Sequence, residues 1–163
     1  MRTRAEFLSQ YAISHRNFTN QIIHLICVPL IYFASAGLFW SVKINPSSFG
    51  VDIPAFNLAV LLFVPVLLFY AQLGFGSLMT GLLWSGLSVL ASLAIENSGA
   101  SLPVVCAVIW IGAWIFQFVG HHIEKAKPSF GDDLVFLLIG PLFVQIKLEK
   151  ILAARSLSVL RQA

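Results

Sequence analysis

The side chains with the most chemical capacity in this chain are four histidines, and they sit at the edges of apolar runs. His15 and His24 lie within residues 11–29, YAISHRNFTNQIIHLICVP, where a polar stretch gives way to a long hydrophobic one. His121 and His122 follow another apolar run, in QFVGHHIEKAKPSF. An ionisable side chain inside a membrane helix is costly to leave unpaired and marks function by default. Neutral imidazole suits iron, zinc, copper and nickel, and open positions beside histidine ligands are what redox or hydrolytic chemistry requires. The expectation is that the two stretches meet and hold a metal ion.

Helical spacing sharpens this. His15 and His24 are nine residues apart, which at about 100° per residue puts them on opposite faces of one unbroken helix. They share a ligand only if the backbone bends between them, and the polar cluster Ser14-His15-Arg16-Asn17 is the place for the bend. On a helix continuing past Gly120, His121 and Glu124 are i and i+3, and Gln117 is one turn earlier on the same line. Asn20 and His24 are related as i and i+4. Amides and carboxylates beside ligating histidines fix ring orientation, the role these spacings suggest for Asn20, Gln117 and Glu124. Plainer readings stand beside these. Glu124 can pair with Lys125 or Lys127. Asn17, Gln117, Lys125 and Lys127 suit capping and interfacial anchoring, and the tryptophans suit packing or lipid contact, with Trp40 in an aromatic belt. His15 alone reads as a solvated cap, and His122, about 100° from His121, as a bystander.

The elements that must position these residues are membrane helices. The 163 residues are 58% hydrophobic and 10% charged, with a mean hydropathy of +0.88, against roughly 25% charged in an average soluble domain. One all-α integral membrane domain over residues 1–163 is expected, without a removable signal peptide. Cys27 and Cys106 fall in apolar segments and read as packing residues, neither a disulfide nor a thiolate site. Thr3-Arg4-Ala5-Glu6 has the form of a capping box and predicts a short amphipathic helix to about Ser14, with Phe7, Leu8, Tyr11 and Ala12 on its apolar side. Asn17, Thr19 or Asn20 then caps the helix that follows.

Four segments of spanning character come next, residues 22–40, 56–71, 78–95 and 102–119. A span needs about 20 residues; the second is short, and Pro65 can kink it. Residues 134–146, broken by Gly140-Pro141, predict a half-inserted or re-entrant element. With four spans, nine of the ten Lys and Arg, all but Lys43, fall on the side of both termini. The positive-inside rule then makes that side cytoplasmic, in a bacterial inner membrane or the endoplasmic reticulum. The even count brings all four histidines to one membrane face.

His15-x-Asn17-x-x-Asn20-x-x-x-His24 followed by Pro29, joined to Trp114-Ile-Phe-Gln117-Phe-Val-Gly120-His121-x-x-Glu124-x-x-x-Pro128 and Gly140-Pro141-Leu-Phe, resembles the Mpo-type 2-hydroxy fatty acid dioxygenase family. The likeness runs from about Tyr11 to Phe143. It implies an Fe(II) enzyme, using neither 2-oxoglutarate nor haem, that removes one carbon from a 2-hydroxy fatty acid with O2. It implies His15, His24 and His121 as metal ligands, with Glu124 and Asn20 as catalytic residues beside them. Asn17, Gln117 and Lys127 are assigned to the substrate, with Lys127 or Arg16 steering its carboxylate. The expected partners are the lipid substrate and the membrane, with no nucleic acid. Two other classes explain the same segments: a membrane diiron desaturase or hydroxylase, which needs more ligands than four histidines provide, and a small scaffold or transporter that makes no use of the histidines.

Overall fold

Local rules account for the first two helices. Thr3 Oγ1 accepts from the Glu6 N–H (3.3 Å) and the Glu6 carboxylate accepts from the Thr3 N–H (2.6 Å), so the predicted capping box is complete. It starts α1, Arg4–Ile13, which buries Phe7 and Tyr11 and leaves Ala12 exposed. Ser14 ends that helix. The Asn17 side chain then accepts from the N–H groups of Thr19 and Asn20 (2.9 and 3.3 Å), starting α2, Phe18–Ser41. The bend that the histidine spacing demanded lies between these two caps. The computed structural model describes residues 2–45, 56–131 and 133–160, without the side chains of residues 130 and 155–160. Two of the basic residues behind the predicted topology fall outside the description, Arg161 entirely and Arg155 in its side chain.

After α2 the chain forms a small antiparallel pair, β1 (Lys43–Ile44) with β2 (Phe56–Asn57), not anticipated from the sequence. Then come α3, Leu58–Gln72, α4, Phe75–Asn97, and α5, Leu102–Glu124. Gly74 makes the turn between α3 and α4 at φ 108°, a conformation open to glycine at little cost. Among the described residues α2, α4 and α5 are long and apolar enough to cross a membrane. Helix α3, with 15 residues, is about 22 Å long and falls short of a bilayer core of about 30 Å.

The faces are distributed as in a membrane protein. Large apolar side chains such as Leu90, Val108 and Phe116 are exposed, whereas Ser77, Ser85, Ser88 and Ser92 on α4 are buried. Those serines and Gly81 form a stripe of small residues that lets helices approach closely. A Cβ at Gly81 would lie 2.2 Å from the Tyr70 ring, and one at Gly37 would lie 2.4 Å from Cys106 Sγ. The chain is an all-α membrane protein.

The last element departs from expectation. Gly140-Pro141 does not break it: α6 runs unbroken from Phe136 to Leu160 with Pro141 inside. The physical reason is position. Pro141 stands in the second turn, after a lead-in of i→i+3 bonds from Phe136, Leu137 and Leu138, so its missing N–H removes one bond near the helix start. The Leu138 carbonyl is also held by the Tyr70 hydroxyl (2.7 Å). Gly140 brings α6 against the site: a Cβ there would be 3.1 Å from Val28 and 3.3 Å from the Tyr11 hydroxyl. Helix α2 lies at the centre, in its most extensive contact with α5, and it also touches α3, α4 and α6; α1 packs on α6. An ion pair between Arg2 and Asp133 ties the start of the chain to the lead-in of α6.

Candidate metal centre

The bend after α1 and the first turns of α2 present two imidazoles to the end of α5. The His15 ring stacks on Tyr11 (centroids 3.9 Å apart, 7° between planes), and its Nδ1 is 2.5 Å from the Tyr11 carbonyl. His24 Nδ1 is 2.9 Å from the Asn20 carbonyl. A carbonyl oxygen only accepts, so each Nδ1 carries the proton and each Nε2 keeps its lone pair. His121 has the Ala126 main chain as a hydrogen-bonding neighbour. The three rings meet at centroid separations of 4.2, 5.1 and 4.9 Å, and one nitrogen from each lies within 4.8 Å of the others. All three residues are buried, at 2%, 3% and 6% exposure for His15, His24 and His121.

The donor set fits a metal ion. His15 Nε2 and His121 Nδ1 are buried without a hydrogen-bond partner, a costly state for a polar atom unless a further group satisfies it. Two ligand nitrogens about 2.1 Å from a shared ion are at most about 4.2 Å apart, so small ring movements complete a three-histidine site. Backbone carbonyls behind the ring nitrogens are the usual support for ligating histidines. Burial pushes the pKa of His15 down to about 4, against the opposing effect of the Tyr11 carbonyl, and this keeps the ring in its neutral, metal-ligating form at neutral pH.

A polar clasp holds the bend to α5. The Glu124 carboxylate accepts from the N–H groups of Arg16 (2.9 Å) and Asn17 (2.8 Å) and from Asn20 Nδ2 (3.0 Å). It thus caps the N-terminus of α2 as an anion and pairs with neither Lys125 nor Lys127. Lys147 Nζ donates to Gln21 Oε1 (2.7 Å), and Gln21 Nε2 donates to the His15 carbonyl (2.8 Å), so α6 grips the same bend. Asn20, fully buried, presses its Oδ1 against Gly120, where a Cβ would come within 2.4 Å. Gly120→Ala is therefore expected to destabilise the chain by about 1–3 kcal/mol through overpacking and to lower its metal content, read by thermal unfolding and elemental analysis.

An elongated, largely apolar cavity of about 330 Å³ opens from the histidines into the bundle. Gln117 lines it, buried and with Oε1 unpartnered. Trp110 and Trp114, read from the sequence as packing or lipid-facing, line it too, and Trp110 Nε1 donates to Ser35 (3.1 Å). Asn20 and Glu124 are behind the rings and do not line it. Asn17 is exposed and its side chain is engaged in capping. Lys127 and the exposed His122 border a shallow outer groove on the other side of His121. The sequence reading missed Tyr11 as the platform for His15 and Ser129, whose hydroxyl meets that of Ser14 (2.8 Å). For Tyr11 a signal existed, its i, i+4 relation to His15; for Ser129, 115 residues from Ser14, none did.

Comparison with known proteins adds an independent finding. A family model described as "2-hydroxy-palmitic acid dioxygenase Mpo1-like" matches residues 1–151. The chain is 35% identical, over 144 residues, to the 2-hydroxy-palmitic acid dioxygenase MPO1 of Saccharomyces cerevisiae, which covers 86% of this chain and 76% of that protein. No solved structure matches.

Proposed function

The chain belongs to the 2-hydroxy-palmitic acid dioxygenase Mpo1-like family, and from that premise we propose that it is a 2-hydroxy fatty acid dioxygenase working with one Fe(II) held by His15, His24 and His121. The reaction cleaves the bond between the first and second carbons with one O2 as the oxidant, releasing an acid one carbon shorter together with CO2, from the former carboxyl carbon, and water. The observation that carries this reading is the buried histidine triad at the closed, polar end of an otherwise apolar cavity. Iron bound there supplies the redox and Lewis-acid chemistry that joins the 2-hydroxy acid to O2.

The chain's own residues supply position and seclusion. Gln117 Oε1, an acceptor without a partner, receives the hydrogen bond of the substrate 2-hydroxyl. The cavity walls, from Val28 and Ile31 on α2 to Trp114 on α5, receive the acyl chain and exclude water. Asn20 and Glu124 are positioning residues, acting through His24 and the His15 bend. Half-exposed Trp110 and Leu137 at the cavity rim let a lipid-dissolved acid enter from the bilayer side. The histidines lie at the cytoplasmic face, on the side where the basic residues cluster.

Purified protein supplied with Fe(II), O2 and 2-hydroxypalmitate is expected to yield pentadecanoate, detected by mass spectrometry. Absence of any shortened acid across substrates of several chain lengths, with iron bound, sinks the proposal.

A further inference from the structure

The cavity has a direction and an end. Its lining on α2 is His24, Val28, Ile31, Tyr32, Ser35, Ala36 and Phe39, a spacing of three and four residues that marks one continuous face of the helix. The α5 lining, Trp110, Trp114, Gln117 and His121, and the α3 lining, Ala59, Leu62, Phe63 and Val66, repeat that spacing. The space therefore runs lengthwise between helices. The two polar interruptions on the α2 face beyond His24 are satisfied from the side: Tyr32 by the Ser85 hydroxyl (2.9 Å) and Ser35 by Trp110.

We infer that this cavity gauges acyl-chain length, with Ala36, Phe39 and Ala59 at its far end setting the limit; the inference rests on the substrate reading given above. Twelve residues separate His24 from Ala36 and fifteen separate it from Phe39, about 18 Å and about 22 Å along the helix. Carbon–carbon bonds of about 1.5 Å in an extended zigzag advance roughly 1.3 Å per carbon, so these depths hold about 14 and about 17 carbons. Small residues keep the last part open: Ala36 and Ala59 are buried and face the cavity with no side chain beyond Cβ. Phe39, half-exposed, borders that end. Filling the space at Ala36 shortens the chain the cavity admits, and truncating Phe39 lengthens it.

The test reads binding separately from turnover. Iron-loaded protein in lipid nanodiscs, kept free of O2, is titrated with 2-hydroxy acids from dodecanoate to eicosanoate. Displacement of a mid-chain-brominated 2-hydroxy acid is followed through recovery of Trp110 and Trp114 fluorescence, in a background carrying Trp40→Phe and Trp84→Phe. The parent is expected to bind most tightly at about 14 to 17 carbons, the depth reckoned above. Ala36→Phe lowers the affinity ratio of octadecanoate to dodecanoate derivatives by about tenfold or more, and Phe39→Ala raises it. A loss of folding alone does not move the ratio in opposite directions in the two variants. An unchanged ratio in both overturns the gauge and leaves the dioxygenase proposal in place. Length-dependent binding with no shortened acid once O2 is admitted upholds the gauge and sinks the dioxygenase. Binding of no acid at any length overturns both.

Discussion

His24→Ala, expressed with ample iron, is expected to retain less than about a tenth of the parent's bound iron and to turn over 2-hydroxypalmitate at least about 100-fold more slowly. Altering even a residue that only supports a metal ligand typically reduces affinity or activity 10- to 100-fold, and His24 is proposed as a ligand itself. Its ring lies within the shared 4.8 Å set, and the Glu124 oxygens, outside that set, are already engaged by Arg16, Asn17 and Asn20. The variant also loses packing at a buried site, so circular dichroism and thermal unfolding must show a folded chain before the metal result is read. His122→Ala is the control. That ring is exposed on the outer groove, and its removal leaves iron content and turnover within about twofold, as usual for a surface substitution. The same elemental analysis separates the remaining classes: about one iron per chain for the proposed centre, about two for a diiron desaturase. Full iron retention in His24→Ala returns the chain to the scaffold or transporter reading.

Glu124→Ala is expected to weaken iron binding about 10- to 100-fold without removing a ligand. The carboxylate receives two main-chain N–H groups at the start of α2 and the Asn20 amide. Its loss removes those three hydrogen bonds, while Asn17 still caps α2, and frees the bend that carries His15 from the end of α5. Glu124→Gln separates positioning from catalysis. Its amide oxygen still accepts from part of the donor set, so a positioning role predicts iron affinity and kcat/KM between those of the parent and the alanine variant. Were the carboxylate a proton carrier or a ligand, the glutamine variant would be as inactive as the alanine variant. Iron titration under anaerobic conditions and steady-state kinetics of the three proteins decide the matter.

Much of the fold is legible in the sequence because it is written locally. Composition gives the membrane class, apolar runs give α2 to α5 to within about a turn and a half but not the length of α6, and Thr3 and the cluster of Asn17, Thr19 and Asn20 announce the starts of α1 and α2 through capping chemistry that needs no partner from elsewhere. The site was partly legible for the same reason. Helical spacing required a bend after Ser14, and an even number of apolar segments between the two histidine stretches pointed them to one end. The resemblance named the residues that the structure then brings together, His15, His24 and His121. Gly140-Pro141 misled because residue type alone does not show that a proline near a helix start, with Tyr70 holding an adjacent carbonyl, leaves the helix intact.

The sequence alone thus determined which segments are apolar helices, where two of them are capped, and that scarce imidazoles gather at one end of the bundle. Tertiary structure alone decided that Glu124 closes onto Arg16, Asn17 and Asn20 across more than 100 positions, that Tyr11 is the platform of His15, and that α2, α3, α5 and α6 leave a long space between them. Capping and periodicity act within one or two turns and can be read along the chain. Which faces meet, and how much room they leave, depends on small residues such as Gly120 and Gly140 setting helix separation, and that is settled only when all the helices pack together.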